Sequence, residues 1–192
     1  VYFRPPPFRD PDRLILVGQR TSTPGCASAC PLHISPTSFQ GWRKQVQPTA
    51  ELAAGAEYWG VVTTRLETTS EVGAAVTANF FSVLGISAVR GRTFVDADDR
   101  PGAECVMILG YPFWREAFLG DTTILGSAVR LDHRFCRIIG IMGPQNGIGR
   151  PVLDVDDPAL APTVPFFIPV GSSELGMADR PAPDFRRVAR LG

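Results

Sequence analysis

Cys26, Cys30 and His33 stand close together in the chain, and no other stretch gathers three Cys or His residues. Zinc sites use Cys-x2-Cys knuckles and a second pair of ligands downstream. Here three residues separate the cysteines, and the remaining two, Cys105 and Cys136, each open an apolar stretch instead of forming a second knuckle. The cluster therefore reads as a loop holding a local disulfide or two free thiols. Cys105 and Cys136 are expected as buried, small apolar side chains, since free cysteine is among the most buried residue types. A bridge between them is the less favoured alternative, because it requires Cα atoms within about 7 Å.

The second candidate is acidic. Asp96, Asp98 and Asp99 follow Gly91-Arg92 and resemble a calcium loop at first sight. An EF-type loop needs oxygen ligands at alternate positions, a central Gly and a closing Glu. Phe94, Val95 and Ala97 interrupt that pattern and no Glu closes it. A solvated loop, or an ion pair with Arg92, is the reading.

Covalent chemistry finds no footing. There is no G-x-S-x-G elbow for a nucleophilic serine. Of the two histidines, His133 falls in an expected hairpin turn, where exposed polar residues are ordinary. Gly147-Ile148-Gly149 lacks the Lys-Ser/Thr of a phosphate-binding Walker motif. No catalytic, cofactor-binding or metal-ligating residue is nominated, and the chain is not expected to be an enzyme.

The elements that would carry these residues follow from periodicity. Arg13–Val17 reads as a buried strand, and residues 19–35 as a loop. Ser35 or Thr37 caps a helix to about Gln45, with Phe39, Trp42 and Val46 on one face. Tyr58–Glu67 and Glu71–Ala78 read as strands joined at Thr68–Ser70. Asn79 is placed as the cap of a short helix, Phe80–Leu84, which Gly85 ends. Phe80, Phe81 and Leu84 are expected to pack inward rather than to form a recognition patch. Cys105–Leu109 is the next strand. Tyr111–Leu119 is a helix with Phe113, Trp114, Ala117 and Phe118 as its apolar stripe. Ser127–Leu131 and Arg134–Met142 form a hairpin around Asp132-His133. Gly143–Asp157 is a loop, and Pro165–Val170 and Phe185–Leu191 are late strands. Hairpin-linked strands mixed with short helices indicate an α+β fold.

Composition excludes several partners. Nineteen basic residues balance nineteen acidic ones, so no field draws the chain to nucleic acid or an anionic membrane. The longest apolar stretches, Ile138–Met142 and Val164–Val170, fall far short of the roughly 20 residues that span a bilayer. Val1–Phe8 is Pro-rich and has no apolar core of a signal peptide. Four cysteines suit an oxidising compartment without establishing one.

The stretch Val76–Pro144 runs VTANFFSVLGISAVRGRTFVDADDRPGAECVMILGYPFWREAFLGDTTILGSAVRLDHRFCRIIGIMGP. Its Asn-Phe-Phe turn, Leu-Gly, Gly-Arg-x-Phe segment, acidic loop, aromatic-rich helix and Ile-Gly-Ile end occur in the order found in MacB-type periplasmic core domains. The chain resembles that family (MacB/FtsX-like permeases of ABC transporters), and is more closely similar to its large acidobacterial members. RPPPFRDPDRLILV, SFQGWRKQ and FRRVARLG extend the resemblance over nearly the whole chain. The CASAC loop and Gly110 depart from the family pattern, and the chain stops at ARLG where the family continues into a further helix and strand.

The resemblance implies a porter-like βαβ subdomain from residues 1–60 and 158–192, incomplete at its C-terminus, with a small mixed α/β subdomain, 61–157, inserted in it. The inserted half is expected to be the better ordered, and the porter-like half to leave a sheet edge open. It implies a non-catalytic domain on the periplasmic side of the bacterial inner membrane, anchored by transmembrane helices absent from this chain. Such a domain couples the motion of a cytoplasmic ATPase subunit to export or to partner proteins. Its expected partners are that ATPase, a second permease copy in a homodimer and a periplasmic adaptor. The alternative is a ligand-binding module for a lipid, peptide or lipoprotein; a hydrolase would need a nucleophile and base that the sequence does not offer.

Overall fold

The structure, a computed structural model, describes residues 10–16, 36–46, 49–144, 164–171 and 186–191. The described residues form nine strands in one sheet and three α-helices, the mixed α+β arrangement expected. After a 3-10 turn at Pro11–Arg13 come β1 (Leu14–Leu16), α1 (Pro36–Val46), β2 (Ala50–Thr63), β3 (Thr68–Val76) and α2 (Phe80–Leu84). Then follow β4 (Arg90–Gly91), β5 (Val106–Leu109), α3 (Tyr111–Ala117), β6 (Ala128–Leu131), β7 (Arg134–Ile141), β8 (Phe166–Pro169) and β9 (Arg186–Leu191).

The strands run in the order β1-β9-β2-β3-β8-β5-β7-β4, with β6 bridging β7 and β2. That last bridge closes a circuit. β2, β3, β8, β5, β7 and β6 each pair with the next, and β6 returns to β2 through Val62 opposite Leu131 and Thr63 opposite Arg130. Six strands thus form a closed ring, from which β1 and β9 extend as an open wing along the N-terminal half of β2.

Strand alternation sorts the side chains. Tyr58, Val62, Ala75, Met107, Leu109, Val129, Leu131, Ile138, Phe166 and Ile168 fill one continuous cluster inside the ring, to which α3 adds Phe113, Trp114 and Ala117. The opposite face carries Ala74, Val76, Val106, Ile108 and Phe167 under Phe80, Phe81 and Leu84 of α2. A register shift opposite Met107 and Ile108 lets one extra residue into β7, so that Ile138 and Ile141 both join the inner cluster while Ile139 packs outside. Gly73 lies opposite Tyr58, and a Cβ there would sit 2.5 Å from the Phe166 ring; the glycine is what lets that ring lie across the sheet. In the wing, α1 lays Phe39, with Trp42 and Val46, over Leu52, Ala54, Ala56 and Ala189.

Three expectations on elements need correcting. β2 begins at Ala50, eight residues before the expected Tyr58, and the turn falls at residues 64–67 rather than at Thr68–Ser70. The run AELAAGAE has little intrinsic preference for a strand, but β9 and β3 flank it and its small side chains let α1 and α2 approach from either face. The turn is set by Thr64, whose hydroxyl accepts from the N–H groups of Leu66 and Glu67. Asn79 precedes α2 but makes no side-chain cap. α3 stops at Ala117, because Leu119 and Gly120 both take positive φ, 54° and 71°.

The remaining elements lie close to the expected positions, and β9 is internal, flanked by β1 and β2. β2 passes unbroken through residues 60 and 61, the expected subdomain boundary. The 19–35 loop, with Cys26, Cys30 and His33, and most of the 143–157 loop lie outside the described residues.

Candidate functional site

The acidic loop is committed to the protein's own donors. Arg92 grips Asp98 in a two-pronged ion pair, at 2.6 and 3.0 Å, and the Val95 N–H donates to the same carboxylate at 2.8 Å. Burial would push the Asp98 carboxyl up, but the Arg92 hydrogen bonds and the Val95 N–H outweigh it and hold the group below its ordinary value. The neighbouring Asp99 turns the other way. It accepts from Ala78 N–H, at 2.9 Å, and from Gly171 N–H, tying the loop to the β3–α2 junction and to the end of β8. Burial dominates there, so Asp99 is raised despite the two N–H donors and the field of Arg43. The Arg92 ion pair is thus the alternative realised from the sequence. Among the described residues no three His, Cys, Asp or Glu side chains cluster as metal ligands.

The same junction carries a buried polar network. Thr77, only 6% exposed, accepts from the Ala54 N–H and donates to the Asn79 side-chain oxygen. The Asn79 amide in turn donates to the Leu52 carbonyl at 3.1 Å. From β9, Arg190 donates to the carbonyl of Val83 on α2 at 2.7 Å. Four elements, β2, β9, α2 and the acidic loop, are therefore fastened at one point where wing meets ring. Asn79 and Asp99 stood out in the sequence for other roles, while Thr77 and Arg190 did not stand out. Their partners lie 23 and 107 residues away, and no local spacing announces such pairs.

At the far end of the ring, Tyr58 reaches from the interior to Asp132 in the β6–β7 turn, Oη to Oδ2, at 2.7 Å. The other Asp132 oxygen accepts from Val61 N–H at 2.8 Å, and the Asp132 N–H donates to the Val61 carbonyl. Burial first, then the Asp132 hydrogen bond and charge, push the Tyr58 phenol up to about 12. This contact latches the ring at its two-pair seam. Asp132 is so committed, and His133 stands beside it in the turn between β6 and β7.

Cys105 and Cys136 are not separate thiols, as expected, but a disulfide, with Cα atoms 4.5 Å apart. Both are buried. β5 and β7 are parallel neighbours whose register sets Val106 opposite Arg137, which brings the preceding residues together across the pair. The intervening α3 and β6 separate the two cysteines by 31 residues, so their proximity is a property of the topology and not of their spacing. Gly110 also has a reason: a Cβ there would collide with the Val164 carbonyl oxygen.

What this geometry does is join and brace: it ties the acidic loop to the β3–α2 junction and the β6–β7 turn to β2. The family described as the MacB-like periplasmic core domain matches residues 3–178. The fold is shared with the periplasmic region of MacB from Actinobacillus actinomycetemcomitans: TM-score 0.61, 14% identity, over 83% of this chain and 65% of that one. It is shared too with the extracellular domain of the noncanonic ABC-type transporter YknZ from Gram-positive bacteria: TM-score 0.57, 16% identity, over 82% of this chain and 73% of that one. The chain thus spans less than two thirds of the MacB periplasmic region. No curated protein matches it in sequence.

Proposed function

The chain belongs to the family of MacB-like periplasmic core domains, extracytoplasmic parts of ABC-type transporter permeases, and from that membership we propose that it is a non-catalytic transmission domain. In this reading a cytoplasmic ATPase subunit drives the permease. The domain carries the resulting displacement outward, to the exported substrate or to a partner such as a periplasmic adaptor. It works as one of two copies in a permease homodimer, on the periplasmic side of the inner membrane. In the same reading the domain is anchored by transmembrane helices; none of the described helices is long and apolar enough to cross a membrane. The division near residues 60 and 158 belongs to the same proposal: the wing falls in the porter-like part and most of the ring in the inserted one, with β8 completing the ring from the porter-like side.

The observation that carries it is β2. One strand of 14 residues runs without a break from α1 and β9 into the closed ring, and the Thr77–Asn79–Asp99 network braces it where the two parts meet. A displacement applied at the wing moves the ring with it. The ligand-module reading is less well supported, because the ring interior is occupied by Phe166, Met107, Leu109, Leu131 and Ile138, all with under 2% exposure.

The test is a spin label at position 135, on the outer surface of the ring, in the reconstituted permease with its ATPase. The label–label distance across the two copies should change between ATP-bound and nucleotide-free states. An unchanged distribution with active ATPase would defeat the reading.

A further inference from the structure

We infer that the Cys105–Cys136 bridge is a redox-controlled stiffener of the ring: the dithiol chain folds, but the part between the two cysteines opens locally, and oxidation locks it shut. The bridge closes a loop that contains β5, α3, β6 and the start of β7. A crosslink restricts the states in which its own loop comes apart, and leaves segments outside that loop to their own contacts. The loop carries one strand of each two-pair closure of the ring, β5–β8 and the β2–β6 seam, and Tyr58 and Asp132 latch the second from the other side. Bridge and latch therefore hold the same segment, one through β5 and one through β2.

Formation of the bridge removes a proton and an electron from each thiol. An exogenous disulfide, from a protein or a small molecule, accepts both pairs and leaves as two thiols. Cys136 is fully buried and Cys105 only 9% exposed, so attack by an external thiol on either sulfur is hindered until the segment opens. The rate of reduction then reads the open population, and weakening the latch should raise it. The inference rests on the transmission reading for what stiffness is for: a ring that opens locally absorbs displacement, and a locked one passes it on. The measurement involves no transport, so either idea can fail while the other stands.

The experiment uses the full 192-residue chain with Cys26→Ser and Cys30→Ser, leaving one pair of thiols. Peptide mapping should find Cys105 joined to Cys136. On reduction with dithiothreitol, hydrogen exchange of the amides in α3, β6 and β7 should speed at least about ten-fold, while β3 and β9 keep their protection. Tyr58→Phe should accelerate reduction of the native bridge roughly ten-fold. Two free thiols in the mapped chain would overturn the inference. So would reduction that unfolds the whole chain or changes no amide, or a reduction rate indifferent to Tyr58→Phe.

Discussion

The two ends of β2 are held by different means. Around its C-terminal half the ring packs large side chains into a closed interior, with Tyr58 and Phe166 edge to face at 6.2 Å, and adds a disulfide and a latch. Around its N-terminal half the wing relies on backbone pairing to β9 and on alanines under α1. Large interlocked side chains fix one arrangement, because interiors pack at crystal-like density and have no room to slide. Small ones allow close approach of elements but hold them with less contact. The ring is thus held by interlocked side chains, and the wing by backbone pairing and the small cluster under α1.

The sharpest test of that contrast is one aromatic truncation at each end. Trp114→Ala removes a buried ring whose Nε1 donates to the Asp121 carbonyl, and should cost about 3–5 kcal/mol, or roughly 10 °C in melting temperature. Phe39→Ala, over Ala54, Ala56 and Ala189, should cost less, about 3 kcal/mol at the low end of that range, because the small side chains beneath it make fewer contacts. Calorimetry giving equal losses would break the comparison.

Tyr58→Phe should lower stability by about 1–2 kcal/mol, by removing a donor from a charged acceptor. The latch also makes an alkaline signature. Its folded-state pKa is raised from 10.0 to about 12, so its contribution is complete below pH 10 and is lost as pH rises through 12. Absorbance titration should show one tyrosine ionising late, and Tyr58→Phe should remove that step.

Asp98→Asn should act on the acid side. The Asp98 carboxyl is held low, so its contribution is present above the ordinary carboxylate range and is lost as pH falls through the lowered value. Arg92 is half exposed, and screening keeps the effect to about 1 kcal/mol or less. The variant should flatten the acid limb of a stability–pH curve. Asp99, raised by burial, contributes with the opposite sign: fully at low pH, fading as pH rises through its raised value. The smallest effect belongs to Trp59→Ala. Trp59 is 63% exposed on the outside of β2, and its loss should shift stability by under about 0.5 kcal/mol. A larger shift would mean that the outer face of β2 carries structural weight.

Much of the ring was legible in the sequence, because VMIL, the RFCRIIGI run and PFFIPV have the apolar and β-branched character of strands. The first eight residues of β2 were not. Alanine and glycine carry no strand signal, and that segment is extended because its neighbours make it so. The ring closure was also hidden, since Val62 meets Leu131 and Ala74 meets Phe167 across separations that no periodicity reports. Asp99 was read as part of a solvated loop because its partners, Ala78 and Gly171, lie 21 and 72 residues away. The disulfide escaped for the same reason. The family resemblance compensated for these gaps at the level of fold and class, because its motifs sit at the turns and glycines that local reading handles well.

The position of β8 has a consequence for how this molecule comes into being. Phe166–Pro169 supplies the stave between β3, which ends at Val76, and β5, which begins at Val106. A chain emerging N-terminus first therefore displays the facing edges of both strands unsatisfied until β8 has followed. Exposed edges of that kind invite pairing with other chains, and pairings between distant segments form slowly. Closure of the ring accordingly waits for its last strand in chain order, β8.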